Sequence, residues 1–333
     1  MKKRLGYLDI AKALCIILVV VGHFCPATTN ALWEKVSRAI YSFHMPLFMF
    51  ASGLLFAHTW KKQPYLSFVS KKFQRLMIPY LCTSIVIIGI KMAMQGVLHV
   101  ANEVTLKDLA EMFWYPSAAL HLWFVWALMI IFIAAGISPS RTYRLFLTAA
   151  AAALWITPVN PPHVFCIDQV CNMAVFFMSG VMFRDLGCHR LLYPETTAEK
   201  LTGSAIFLGA ASAFTLMEIL LFNGKLPQVF SRLLPFLGIA TVLGLSRCLE
   251  KPACGNRKGI LMTIGGCSFT IYLFHTTFSE FTKAVMAKFG CTLENHFVLC
   301  LACAVAAGIV FPILVQKLVL EKSKTLGFLF GVK

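Results

Sequence analysis

Charge is scarce in this chain, and acidic charge scarcest of all. Of 333 residues only 13% are Asp, Glu, Lys or Arg, where a soluble domain of that size carries about 25%. Fourteen acidic residues stand against thirty basic ones. The strict apolar–polar alternation of β-barrel strands is also missing. The apolar runs are apolar all round, which excludes a transmembrane barrel. No Gly-rich phosphate loop of the GxGxxG or GxxxxGK[ST] kind occurs, so nucleotide hydrolysis is not expected. No HExxH, HxxxH or HxH pair occurs either. A metal would need ligands drawn from separate helices, and none is expected.

Hydrophobic residues fill the place of charge, at 59% of the chain with a mean hydropathy of +0.76. Apolar runs recur from Leu8 to Leu318. The expected class is all-α: a polytopic helical membrane protein. Ten spans can be drawn, roughly Leu8–Phe24, Ile40–Ala57, Leu76–Leu98, His121–Ile137, Tyr143–Ile156, Val170–Phe183, Gly203–Phe222, Val229–Leu245, Ile260–Phe278 and Phe297–Val315. The fifth and sixth are short against the about 20 residues a bilayer core needs. The start "MKKR" followed by an apolar stretch resembles a signal peptide. Asp9 and Lys12 interrupt it, and no small-x-small site follows Gly22 closely, so it reads as an uncleaved first span.

A net charge of +16 would suit a nucleic-acid partner, but its distribution argues against one. With the N-terminus inside, 21 of the 30 basic residues fall in inner loops and tails and 7 in outer loops, while Lys12 and Lys91 lie within spans. That bias is the positive-inside pattern. It predicts both termini cytoplasmic, membrane lipid as the surrounding partner, and one transmembrane domain over residues 1–333 without a separate soluble domain. The twelve cysteines are scattered. Cys300 and Cys303 form a CxxC inside an apolar run, where small packing residues are expected rather than a redox or zinc site. Cys166, Cys171 and Cys291 fall in or near outer loops and could pair. One faint internal echo joins "FMFASGLLF" from Phe48 to "FFMSGVMF" from Phe176; its Ser-Gly pairs would permit close helix approach.

Charged groups inside spans are costly and therefore functional candidates. They are Asp9, Lys12, Lys91 and Glu218. In the first span, "KALCIILVVVGH", the eleven residues from Lys12 to His23 at about 100° each return to within about 20° of the starting face. Ile16 and Val19 lie between them on that stripe. At a rise of 1.5 Å per residue the two are about 16 Å apart, so they cannot touch. Asp9, one turn before Lys12, could pair with it. Taken alone, Lys12 reads as a snorkelling anchor and His23 as an interfacial histidine.

Topology brings other groups to the level of His23. His44 begins the second span, with Pro46 suited to a helix's first turn. His121 begins the fourth span, Glu218 lies near the outer end of the seventh, and His275 near the outer end of the ninth. Such a cluster suits proton transfer, because a neutral imidazole accepts a proton near physiological pH. On the inner side "HTWKKQPYLSFVSKKFQRLMIPY" carries Lys61, Lys62, Lys71, Lys72 and Arg75. Topology and attraction to anionic lipid account for part of this charge. The sharper reading is a site for a polyanion such as coenzyme A, led by Arg75, whose fork of donors suits phosphate.

These residues together resemble a known family. "YLDIAKALCIILVVVGHF", "FHMPLFMFASGLLF", "KKFQRLMIPY" and "SFTIYLFHTTF" resemble the acyltransferase 3 family of integral membrane acyltransferases, in its sugar O-acetylase (fucose 4-O-acetylase-like) branch. The matching elements are a basic residue, ten residues, then a histidine in the first span (Lys12, His23), Ser52–Gly53, Arg75 before Pro79, and Tyr272 to His275. The resemblance implies O-acylation of an extracytoplasmic glycan or lipid-linked sugar by cytoplasmic acetyl-CoA, in a bacterial inner membrane. It implies His23 as catalytic base, Lys12 as the first-span cation and Arg75 at the donor; Lys71 and Lys72, in the same basic loop, join Arg75 as donor-site candidates on charge. Substrate contacts would come from His275 and Ser52, which lie in the matching motifs, and from His44 and Glu218, which topology adds. A transporter or exporter of small solutes or acylated glycans is the alternative, since intramembrane charges suit one as well.

Overall fold

A computed structural model of the chain describes residues 6–24, 31–59, 63–95, 103–157, 159–192, 196–250 and 259–332. Among them there is no strand. Thirteen α-helices follow in order: α1 Gly6–Gly22, α2 Ala31–Thr59, α3 Tyr65–Met94, α4 Lys107–Glu111, α5 Trp123–Ala135, α6 Arg141–Ile156, α7 Ile167–Asp185, α8 Thr197–Phe222, α9 Leu234–Leu249, α10 Ile260–Gly266, α11 Ser268–Lys288, α12 Phe297–Leu318 and α13 Lys324–Leu329. Among the described residues seven helical stretches are long and apolar enough to cross a membrane, and an eighth is the pair α10–α11, broken at Cys267. α1 and α6 fall just short in length, at 17 and 16 residues. The sixth expected span gains length by starting at Val164, in a short 3-10 turn that leads into α7. The protein is a multi-pass, all-α membrane protein.

Two helices start earlier than hydropathy indicates. α2 begins nine residues before Ile40. Glu34, Lys35 and Arg38 hide its first turns from a hydropathy reading, but this part buries Trp33 edge-on against Phe24, with ring centroids 5.9 Å apart. Pro46 therefore lies inside α2, not in its first turn, and His44 is well within the helix. The ring costs one backbone bond, to the carbonyl one turn back. α3 begins eleven residues before Leu76, so Lys71, Lys72 and Arg75 ride on helix rather than in a loop.

The chain divides into two compact units, Met1–Trp60 with Phe176–Ser268, and Lys61–Val175 with Phe269–Lys333. In the first unit α1 packs on α2, α9 and α10, and α9 packs on α2 and α8. α1 is wrapped on most sides: Tyr7, Leu8, Ala13, Cys15, Ile16, Val19 and Val20 are all buried. The stripe between Lys12 and His23 thus faces protein. Backbones approach closely where the two Ser-Gly echoes cross. A Cβ on Gly53 would lie 1.9 Å from the Phe177 carbonyl oxygen, and one on Gly180 2.1 Å from that of Phe50. The echoed segments pack on each other, as small residues allow. α8 opens with a capping box between Thr196 and Glu199.

In the second unit α3 packs along α5 and α13. Tyr65 and Tyr143 donate hydroxyl hydrogen bonds to the carbonyls of Ile133 and Ala134 at the end of α5, both at 3.0 Å. These bonds use carbonyls that a helix end leaves without intrahelical donors. A small core of Ile88, Val104, Met112 and Ala118 joins α3 to the segment after it.

Candidate functional site

In the first unit the sequence candidates fall into separate places. Lys12 pairs with Asp9, Nζ to Oδ1 at 2.7 Å, one turn apart on α1. The carbonyl of Asp9 lies directly under Gly265 of α10, where a Cβ would come within 1.9 Å of it. The expected pairing is present, at a tightly packed helix crossing.

His23 stands one residue beyond α1, its N–H bonded to the Val19 carbonyl at 3.0 Å. Tyr41 of α2 lies edge-on to it, with ring centroids 6.1 Å apart, and His44 lies edge-on to Tyr41 at 4.9 Å. α1 is tied to α2 here by the Cys15 thiol, which donates to the His44 carbonyl. The His44 ring is locked: Nδ1 lies 2.8 Å from the Ile40 carbonyl. A carbonyl can only accept, so Nδ1 carries the proton and Nε2 is the lone-pair nitrogen of the neutral ring. A neutral His44 thus offers an acceptor, not a donor. Further along α2, Arg38 approaches Glu218 of α8, Nε to Oε2 at 4.0 Å, and Lys35 sits over the Phe222 ring at 4.4 Å. Sequence reasoning overlooked Tyr41 and Arg38. Their signal is spacing: 38, 41 and 44 recur every three residues, along one side of a helix. Ser52 lies deeper in α2, beside the Gly53 crossing.

In the second unit the basic cluster splits. Lys71 and Arg75 are one turn apart on α3 and both are exposed; Lys71 also donates to the Gln63 side chain at 3.0 Å. Lys72 turns the other way, placing its ammonium 3.6 Å from the centroid of Phe132 and 5.5 Å from that of Phe68. That is cation–π geometry. His275 is buried, with Nδ1 2.9 Å from the Tyr272 carbonyl and 3.1 Å from that of Ile271. Its Nε2 is therefore the lone-pair nitrogen as well. His121 lies edge-on to it at 5.3 Å, and the Tyr272 hydroxyl donates to the His121 carbonyl at 2.6 Å. His121 was visible from topology; its partnership with His275 was not, because 154 positions separate them in sequence.

Cys166, Cys171, Cys291, Cys300 and Cys303 are free thiols. Among the described residues no three His, Cys, Asp or Glu side chains gather as metal ligands would.

A profile of the acyltransferase 3 family, described as an acyltransferase domain, matches residues 5–316. The nodulation protein NolL of Mesorhizobium japonicum is 29% identical over 192 residues, 53% of this chain and 50% of the relative. NolL of Sinorhizobium fredii is 28% identical over 183 residues, 53% of this chain and 47% of the relative. The chain thus spans about half the length of the curated relatives it matches. No solved structure matches it. The family profile covers both histidine centres and nearly the whole chain, and the chain belongs to the acyltransferase 3 family.

Proposed function

We propose that the protein is a membrane O-acetyltransferase. It takes an acetyl group from cytoplasmic acetyl-CoA and delivers it to a hydroxyl of an extracytoplasmic glycan or lipid-linked sugar, at a bacterial inner membrane. The observation that carries this reading is His23: it ends the buried stripe of α1 beside Tyr41 and His44, within a family match that spans residues 5–316.

The donor's phosphates dock on the exposed cationic face of Arg75 and Lys71, while Lys72 packs its ammonium over Phe132. Lys12 marks the inner end of the α1 stripe. At its other end His23 removes the acceptor's hydroxyl proton as the oxygen attacks the thioester carbonyl carbon. The carbon–sulfur bond breaks, the ester forms, and the proton leaves with the coenzyme A thiol. His44, an acceptor at Nε2, suits a hydroxyl rather than a carbonyl oxygen, and Glu218 and Ser52 serve the acceptor as polar contacts. The apolar packing around α1 keeps water from the thioester.

The test is coenzyme A thiol release and ester formation by detergent-purified protein given acetyl-CoA and a sugar acceptor. His23→Ala should lower turnover by about 10²- to 10⁴-fold, the usual worth of a general base. Wild-type turnover in that variant refutes the assignment. Solute movement without consumption of acetyl-CoA refutes the enzyme reading altogether.

A further inference from the structure

The positive-inside bias leaves seven basic residues outside, and four of them, Lys35, Arg38, Lys225 and Arg232, belong to the first unit. They stand against two acids on that side, Glu34 and Glu218, a balance of +2. In the second unit three outer cations stand against six outer acids, a balance of −3. The unit that carries His23 is thus the one with a cationic outer end, against the general tendency to keep such charge inside.

Lys35 and Arg38 are one turn apart near the start of α2, and both lean on one ring of α8. The Lys35 ammonium is 4.4 Å from the Phe222 centroid and the Arg38 guanidinium 6.0 Å from it. Like charges so placed on a helix repel. The ring face attracts both and leaves two positive charges at one spot. Their counter-charge is meagre. Glu218 comes to 4.0 Å from Arg38 Nε, beyond hydrogen-bond range. Glu34, one turn before Arg38, forms no ion pair with it. Among the described residues neither cation donates a hydrogen bond.

The place is open, and it adjoins the proposed chemistry. The Arg38 side chain is 37% exposed, and Lys35 is exposed as well. Tyr41, one turn further along the same side, is 42% exposed. Its hydroxyl lies 3.4 Å from the Gly22 carbonyl at the end of α1, and its ring is edge-on to His23. From Arg38 to Tyr41 the helix rises about 4.5 Å. A sugar with an anionic group at Arg38 would lie along Tyr41, toward His23. All of these residues belong to α1, α2 and α8 of one unit.

We propose that Arg38 and Lys35 bind an oxyanion carried by the acceptor, so that anionic sugars are acylated in preference to neutral ones. Arg38 supplies a fork of donors that takes a phosphate or a carboxylate in two parallel bonds, and Lys35 supplies a point charge. The site rests on the sugar acceptor and the outward topology of the reaction above.

The probes are α-galactose 1-phosphate, methyl β-galacturonide and neutral methyl β-galactoside. They are titrated by tryptophan fluorescence against the full-length protein in a neutral detergent, with acetyl transfer measured in parallel. Arg38→Gln should weaken the better anionic probe about tenfold, the low end for a hydrogen bond to a charged group, because the site is partly exposed. Lys35→Gln should weaken it about threefold. Methyl β-galactoside affinity and the acetyl-CoA KM should not move. Arg38→Lys should keep part of the affinity, and added salt should lower it in wild type. Lys288→Gln, which removes an outer charge from the second unit, should change none of these values. The tighter of the two anionic probes tells phosphate from carboxylate. Equal affinity for both anionic probes in wild type and a folded Arg38→Gln overturns the proposal. So does an equal loss in Lys288→Gln, or a wild type that binds the anionic probes no better than methyl β-galactoside. Stabilisation by phosphatidylglycerol that Arg38→Gln abolishes, without binding of either anionic sugar, assigns the cations to lipid and likewise overturns it. Anionic binding with these losses but no transfer instead refutes the proposed reaction and leaves the oxyanion site standing.

Discussion

Gly53→Ala adds one methyl group where α2 meets α7, and the structure sets what it must displace. The new Cβ would sit 1.9 Å from the Phe177 carbonyl oxygen and 2.8 Å from its carbon, whereas ordinary contact begins at 3.4 Å. The shortfall is 3.4 − 1.9 = 1.5 Å. The obstacle is helix backbone and cannot swing aside as a long side chain would. The reciprocal contact, Gly180 against Phe50 and Leu54, closes off a compensating slide, so the helices have to separate. Gaps of about 0.5–1 Å already forfeit a quarter to a half of the dispersion energy of each atom pair, and Leu54, Phe177 and Val181 beside this seam are fully buried.

Overpacking costs about 1–3 kcal/mol, and a backbone obstacle places this site near the upper end. Alanine recovers about 1 kcal/mol in helix propensity. The net loss is therefore about 2 kcal/mol, a fall in Tm of about 3 °C for 333 residues at about 2.1 cal/mol/K of unfolding entropy per residue. Thermal unfolding of the detergent-solubilised protein, followed by tryptophan fluorescence, reads it. Gly89→Ala on α3 is the control, because nothing lies within 4 Å of its Cβ; it should leave Tm unchanged or raise it. Gly53→Ala combined with Gly180→Ala should cost less than the sum of the two, since the first opens the seam for the second. A Gly53→Ala protein as stable as Gly89→Ala would refute the close crossing.

Lys12→Ala should destabilise the first unit by about 2–3 kcal/mol, because it strips the cation from a largely buried carboxylate. In Asp9→Asn/Lys12→Met much of that loss should return, and the acetyl-CoA KM then decides whether Lys12 also serves the donor: a normal KM removes it from the donor site. Arg75→Ala should raise the acetyl-CoA KM with little change in Tm, whereas Lys72→Ala should lower Tm by removing the ammonium from Phe132; the reverse pattern would overturn the division of the basic cluster. For Asp108, burial pushes the carboxyl upward, but the Thr105 N–H and the hydroxyls of Ser117 and Thr105 outweigh it and hold it below its ordinary range. A group so depressed contributes stability above its unfolded value of about 3.9 and loses it as pH falls through the folded value. Asp108→Asn should therefore flatten the acid limb of Tm against pH below about pH 4, and an unchanged limb would count against this role.

Much of the helical layout was legible because a membrane span must be apolar over most of its length, and hydropathy reads that directly. The errors fall where a helix outruns its apolar stretch. Ala31–Ala39 and Tyr65–Arg75 are helical through packing of Trp33 and Phe68 and through i,i+4 backbone bonds that hydropathy does not see. Asp9 with Lys12 was legible because one helical turn separates them. The Ser-Gly crossing was legible as a tendency to close approach; that the two echoes meet each other required the fold. Lys72 was misgrouped with Lys71 and Arg75, since a shared charge says nothing of the 100° turn between neighbouring residues on a helix. The partnership of His121 with His275 left no local trace, because it depends on a turn built by Lys91, Asp108 and Tyr272.

Both units contain a histidine whose Nδ1 is held by a carbonyl about one turn earlier on its own helix, His44 on Ile40 and His275 on Ile271 and Tyr272. The apolar surroundings explain the recurrence. An imidazole N–H buried in a membrane helix has no water to bond, and the nearest acceptors are its own helix's carbonyls. Satisfying the donor this way fixes the tautomer and turns the basic nitrogen outward. The same solution makes each ring a good acceptor for a hydroxyl and a poor donor to a carbonyl oxygen. His23 differs in placement, standing past the last residue of α1, where the partial negative charge of the helix C-terminus gathers. Local helix geometry therefore separates these histidines: His44 and His275 hold Nδ1 on carbonyls of their own helices and leave Nε2 as the accepting nitrogen, whereas the position of His23, past the end of α1, does not impose that arrangement.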